Sequence, residues 1–80
     1  MSKEEIKSII KNFLIETKGK TDIGYDDDLF NMGIVDSLFG LQIIMFVEQT
    51  FNIKIPNKNI KLENFKTIDL IADLVSDSLE

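Results

Sequence analysis

The sequence predicts an all-α fold: a four-helix bundle in which a long ordered loop joins the first two long helices and the third helix is short. Three observations carry that expectation. Apolar residues recur at helical spacing in three separate stretches. A residue suited to capping stands ahead of each: Ser2, Asp36 and Thr67. The turn signals Gly19, Gly24, Gly33 and Pro56 fall between the stretches.

The first helix is expected over residues 3–17. Ser2-Lys3-Glu4-Glu5 has the form of a capping box, and Ile6, Ile9, Ile10, Phe13 and Leu14 then make one apolar stripe. Lys3, Lys7 and Lys11 read as a solvated row on another face, and Gly19 as the stop. From Gly19 to Val35 the helical pattern lapses. Asp26-Asp27-Asp28 and two glycines mark a loop, yet Ile23, Tyr25, Leu29, Phe30, Met32, Ile34 and Val35 are too many apolar residues for a slack linker. One helical turn over Leu29–Met32, capped by Asp28, would pin it to the core.

Asp36 caps a second helix that runs from Ser37 to about residue 51. It is apolar nearly all round. Leu38, Leu41, Ile44 and Met45 read as its main stripe, and Phe39, Ile43 and Phe46 fill the other faces. Such a helix is either central or offers an apolar surface to a partner. Gly40, costly in a helix, points to close approach of something to the backbone or to a neutral surface position. Lys61–Phe65 is expected to form the short third helix. Thr67 caps the last, over 68–79, with Ile68, Ile71, Ala72, Val75 and Leu79 as its stripe. The expected core brings together Ile10, Phe13, Leu41, Ile44, Ile71 and Val75.

Composition narrows the function. Eighty residues make one domain, 1–80, since a chain this small buries only about 60% of its unfolded surface. No apolar run nears the roughly 18 residues of a membrane span. The charged start, Met1-Ser2-Lys3-Glu4-Glu5, is no signal peptide, so a cytoplasmic protein is expected. The chain has no Cys, His or Arg, which removes thiolate chemistry, the commonest metal ligand and the usual phosphate clamp. A net charge of −5 disfavours nucleic acid. Asp26-Asp27-Asp28 lacks the spaced acids and central Gly of a calcium loop and reads as a solvated turn. An enzyme is not expected; a protein that serves enzymes is.

Ser37 is the residue with a chemical role on offer. It opens a helix, where unpaired N–H groups and the positive dipole end favour an attached phosphate. Read alone, Asp36-Ser37 is an ordinary cap. The longer stretch Leu29-Phe30-Asn31-Met32-Gly33-Ile34-Val35-Asp36-Ser37-Leu38 resembles the attachment motif of acyl and peptidyl carrier proteins. The likeness extends over the whole chain, from the first helix to the one opened by Thr67-Ile68.

That resemblance implies a four-helix carrier fold and a discrete, non-catalytic carrier with a covalent 4′-phosphopantetheine arm on Ser37. It implies that Asp36 helps a phosphopantetheinyl transferase engage. It further implies cargo held as a thioester and passed from an acyl- or aminoacyl-activating ligase to downstream synthases or transferases, by a monomer. Leu38, Phe39, Gln42, Met45 and Glu48 are the expected partner contacts. Two departures bear on the cargo. Fatty-acid-synthesis carriers typically have a strongly acidic second helix, whereas Phe39, Gln42, Gln49 and Thr50 stand here. Two residues, not one, separate Gly33 from Asp36. Both favour aminoacyl, peptidyl, D-alanyl or specialised polyketide cargo over the alternative of a fatty-acid carrier. The alternative of another class is a cargo-free helical adaptor that binds through the second helix.

Overall fold

The computed structural model describes residues 1–79; Glu80, the last residue of the expected domain, lies outside the described residues. These residues form α1 (Lys3–Lys18), α2 (Ser37–Phe51) and α3 (Ile68–Leu79), with two short 3₁₀ turns, Asn57–Asn59 and Leu62–Phe65, between the last two. The fold is all-α, as expected, but three α-helices stand where four were anticipated. The segment expected as a short third helix, Lys61–Phe65, forms a 3₁₀ turn over Leu62–Phe65 rather than an α-helix, with Lys61 extended ahead of it (φ −130°, ψ 145°). Neither 3₁₀ turn has a side-chain cap, and Phe65 alone of their residues is buried. So short a stretch with one anchor cannot offset the cost of starting an α-helix.

Helix α1 begins with the capping box. Glu5 N–H donates to Ser2 Oγ at 3.2 Å, and Ser2 N–H to Glu5 Oε1 at 3.1 Å. It ends at Gly19, whose φ of 72° is the left-handed conformation that suits Gly there. Ile6, Ile10 and Leu14 are buried from α1, and Ile68, Ile71, Ala72, Leu74 and Val75 from α3. Leu79, placed in the α3 stripe by periodicity, is exposed because the last turn runs past the core.

Charges close the seam between these two helices. Lys3 Nζ lies 2.7 Å from Asp73 Oδ1, and Lys7 Nζ lies 3.0 Å from Asp69 Oδ1. The hydrogen bond to Asp69 raises the Lys7 pKa, against an opposing contribution from desolvation. Lys7 and Lys11 each sit 5.6 Å from the Tyr25 ring centre. The row expected to be solvated therefore clasps the loop, because lysine stems lie readily along an aromatic face while the ammonium stays near water.

The buried face of α2 differs from the one anticipated. Phe39, Gly40, Ile43, Ile44, Val47 and Phe51 point inward. Leu41 is 57% exposed and leaves the expected core; Leu38 is 72% and Met45 61% exposed. Aromatic packing explains the choice. Phe13 stacks on Phe46 with ring centres 4.0 Å apart and lies parallel to Phe39 at 5.9 Å. Lys18 Nζ covers the other side of Phe39, 4.2 Å from its centre. Rotating the helix to bury Leu41 would expose rings to water.

Ile71 is fully buried and Leu41 mostly exposed. Ile71→Ala should therefore cost about 2–5 kcal/mol. Leu41→Ala should stay within about 0.5 kcal/mol. Urea melts of the two variants check this, and a greater loss at Leu41 would reverse the register of α2.

Candidate functional site

The loop ahead of α2 is built from its own polar groups. Asp27 Oδ2 accepts from Gly24 N–H at 2.7 Å, and Asp28 Oδ1 from the N–H groups of Phe30 and Asn31 at 3.1 and 3.2 Å. The carboxylates of Asp27 and Asp28 are thus spent on backbone donors. Met32 N–H reaches Asp28 O at 3.1 Å, completing the single turn anticipated over Leu29–Met32. Gly33 then takes a φ of 73°, and the chain doubles back so that Ile34 and Val35 N–H both donate to Leu29 O, at 3.0 and 3.2 Å. Leu29, Ile34 and Val35 are buried.

This fold-back delivers Asp36 and Ser37 to the protein surface. Asp36 has extended backbone, and its Oδ1 accepts from Phe39 N–H at 2.8 Å. Gly40 N–H makes the first helical bond, to Asp36 O, at 2.8 Å. The N–H groups of Ser37 and Leu38 precede that bond and point out of the helix start. Both side chains are exposed. Unlike α1 and α3, α2 has no acid in its first turn. A hydroxyl here can bear a phosphate without meeting a carboxylate of the helix itself, and the dipole end favours the charge.

The other expected site residues divide. Leu38, Gln42 and Met45 are exposed on α2, the helix that Ser37 opens. Phe39 is not; it is 5% exposed, held in the aromatic stack, and offers no surface to a partner. Glu48 is half-buried and turned back on the chain, its Oε2 accepting from Ile55 N–H at 3.0 Å. It braces the link after α2, which follows from the need of that turn's N–H for a partner.

A cavity of about 110 Å³ lies beside Ser37, between α2 and the 3₁₀ turns. Ser37, Gly40 and Ile44 form one wall, and Ile60, Lys61 and Phe65 the other. A Cβ added to Gly40 would meet nothing within 4 Å, so the glycine leaves open space on the cavity side. Leu41 and Leu62, both exposed, complete the rim. The second wall escaped sequence reasoning; Gly40 was its only signal.

An exposed hydroxyl at a helix start with no acid beyond the Asp36 cap, next to an open apolar groove, suits a tethered phosphodiester arm. Residues 4–75 match the family described as phosphopantetheine attachment site. The chain belongs to this family, whose members carry 4′-phosphopantetheine covalently and serve as substrates of other enzymes rather than as catalysts. Among its relatives are the D-alanyl carrier proteins of Streptococcus pyogenes strains Manfredo and NZ131, each 36% identical over 52 residues. That match covers 65% of this chain and 66% of the length of each relative, just under two-thirds.

Asp36→Ala removes the cap and should cost about 1 kcal/mol. Glu48→Ala leaves the Ile55 N–H unpaired and should cost about 1–3 kcal/mol. Thermal melts check both, and an unchanged midpoint for Glu48→Ala would remove its bracing role.

Proposed function

We propose that the chain is a carrier whose Ser37 bears the 4′-phosphopantetheine arm, and that its cargo is a small aminoacyl group of the D-alanyl type. The observation that carries this reading is the exposed Ser37 hydroxyl at the first position of α2, directly after the Asp36 cap and within the residues matched by the family. In the loading step Ser37 Oγ forms a bond to the phosphorus of coenzyme A that carries the pantetheine. The anhydride P–O bond breaks and adenosine 3′,5′-bisphosphate leaves, while the hydroxyl proton passes to a base of the phosphopantetheinyl transferase. The arm supplies the thiol this Cys-free chain lacks, so that cargo is held as a thioester. Asp36 fixes the helix start at which the transferase works.

The groove beside Ser37 is open to the surface and is not an enclosed tunnel that would bury a long acyl chain, which favours a small cargo. The D-alanyl relatives point the same way. An activating ligase would load the carrier, and a downstream synthase or transferase would unload it. The reading includes one carrier domain acting as a monomer in the cytoplasm. No described helix is long and apolar enough to cross a membrane. Tethering then raises the effective concentration of cargo at each successive enzyme.

Intact-mass measurement tests the attachment. Incubation with coenzyme A and a broad-specificity transferase should add one phosphopantetheine to wild type and none to Ser37→Ala. Equal labelling of both, or of neither with several transferases, leaves the cargo-free adaptor as the better reading.

Docking should be apolar. Leu38 and Met45 stand exposed on the helix that Ser37 opens, whereas the Glu48 carboxylate is engaged internally. Leu38→Ala and Met45→Ala should slow loading by the cognate ligase at unchanged stability, with little salt dependence. Phe39→Ala, by contrast, should lose stability by about 3–5 kcal/mol. A steep fall in loading with salt would mark the contact as electrostatic.

A further inference from the structure

Lys61 is placed near Ser37 by the fold rather than by the sequence. It lines the cavity that Ser37 opens onto, and it is the one charged residue in that lining. Its backbone is fixed at the junction of the two 3₁₀ turns: Lys61 N–H donates to Asn59 O at 3.0 Å, and Lys61 O accepts from Asn64 N–H at 2.9 Å. Its side chain has no such commitment. Among the described residues the ion pairs engage Lys3 and Lys7, not Lys61. A lysine that makes no ion pair thus lines an otherwise apolar groove whose other wall carries the site hydroxyl. Apolar lining strengthens the attraction between charges at such a place relative to open water.

We infer that Lys61 is a positioning residue for the loaded carrier, its ammonium acting as counter-charge to the phosphodiester on Ser37 and holding the start of the arm against the groove mouth over Gly40. The inference rests on the attachment at Ser37 proposed above. A phosphodiester stays singly negative across the neutral range. The near carboxylate, Asp36, is taken up by Phe39 N–H, leaving the cation across the groove to balance the charge. Gly40 contributes by omission, since its bare backbone leaves the space between the two walls open. Lysine suits the task better than a bidentate group would. A flexible point charge holds the phosphodiester without fixing its orientation, so the arm can leave for a partner enzyme.

Phosphorus NMR of the loaded protein tests this, with mass spectrometry first confirming one arm on Ser37 in each variant. Lys61→Gln should move the phosphodiester resonance and remove at least half of the shift that loading produces at the Gly40 and Leu62 amides. Lys61→Arg should retain both. Lys58→Gln makes the same charge change on an exposed residue outside the cavity lining and should leave the spectrum as in wild type. Salt should carry wild type towards the Lys61→Gln spectrum, because screening shortens from about 10 Å at 0.1 M to about 3 Å at 1 M. A loaded Lys61→Gln protein with wild-type resonances, or an equal effect from Lys58→Gln, overturns the role of Lys61 alone. Failure to load Ser37 at all overturns both this inference and the carrier reading.

Discussion

Leu29 N–H donates to Lys66 O at 2.7 Å, its own carbonyl accepts from Ile34 and Val35, and its side chain is fully buried. These three commitments of one residue tie the long loop to the residue just ahead of Thr67, the α3 cap, and to the two residues just ahead of Asp36. A second tie runs parallel, from Asp69 N–H to Tyr25 O at 3.0 Å. Loops as long as the one between α1 and α2 usually have many conformations, and a serine on the end of one would have no fixed place. Here the starts of α2 and α3 are held in register through the loop. The place of Ser37 is therefore set by the α1–α3 core, although Ser37 itself touches solvent.

The same core explains why α2 can leave three large apolar side chains in water. Its inner face carries Phe39, Ile43, Val47 and Phe51, spaced four residues apart, and these with Gly40 and Ile44 suffice to anchor it. Leu38, Leu41 and Met45 are surplus to packing. Exposed apolar groups clustered on one face are uncommon on a protein that has no partner. On the carrier reading proposed above, this surplus is the face that a partner enzyme would cover.

Much of this was legible in the residues themselves. The caps Ser2, Asp36 and Thr67, the stop at Gly19, the bounds of all three helices to within about a residue, and the turn after Asp28 rest on local rules, because each concerns groups a few positions apart. The motif around Ser37 was legible for the same reason. The face of α2 was not. A helix apolar on every side has no stripe for periodicity to find, and the deciding contacts, Phe13 with Phe39 and Phe46, join residues far apart in the chain. Glu48 misled in a similar way. An acid near the end of a helix reads as a surface charge until the N–H of Ile55 is brought to it by the link that follows. Lys61 carried no signal at all, since only the folded chain sets it across from Ser37.

The two walls of the groove are held by unequal means. On the α2 side, Gly40 and Ile44 belong to a capped helix packed through aromatic rings. On the other side the chain passes through two 3₁₀ turns without side-chain caps, joined by the Asn64 Nδ2 hydrogen bond to Asn59 O at 2.8 Å and anchored by Phe65. Short 3₁₀ turns have poorer hydrogen-bond geometry than an α-helix, so this wall yields at less cost than the other. A change in the shape of the groove therefore falls on the 3₁₀ side and leaves the helix that begins at Ser37 undisturbed. Had the second wall been a regular α-helix with its own apolar stripe, the space beside Gly40 would have been filled by packing.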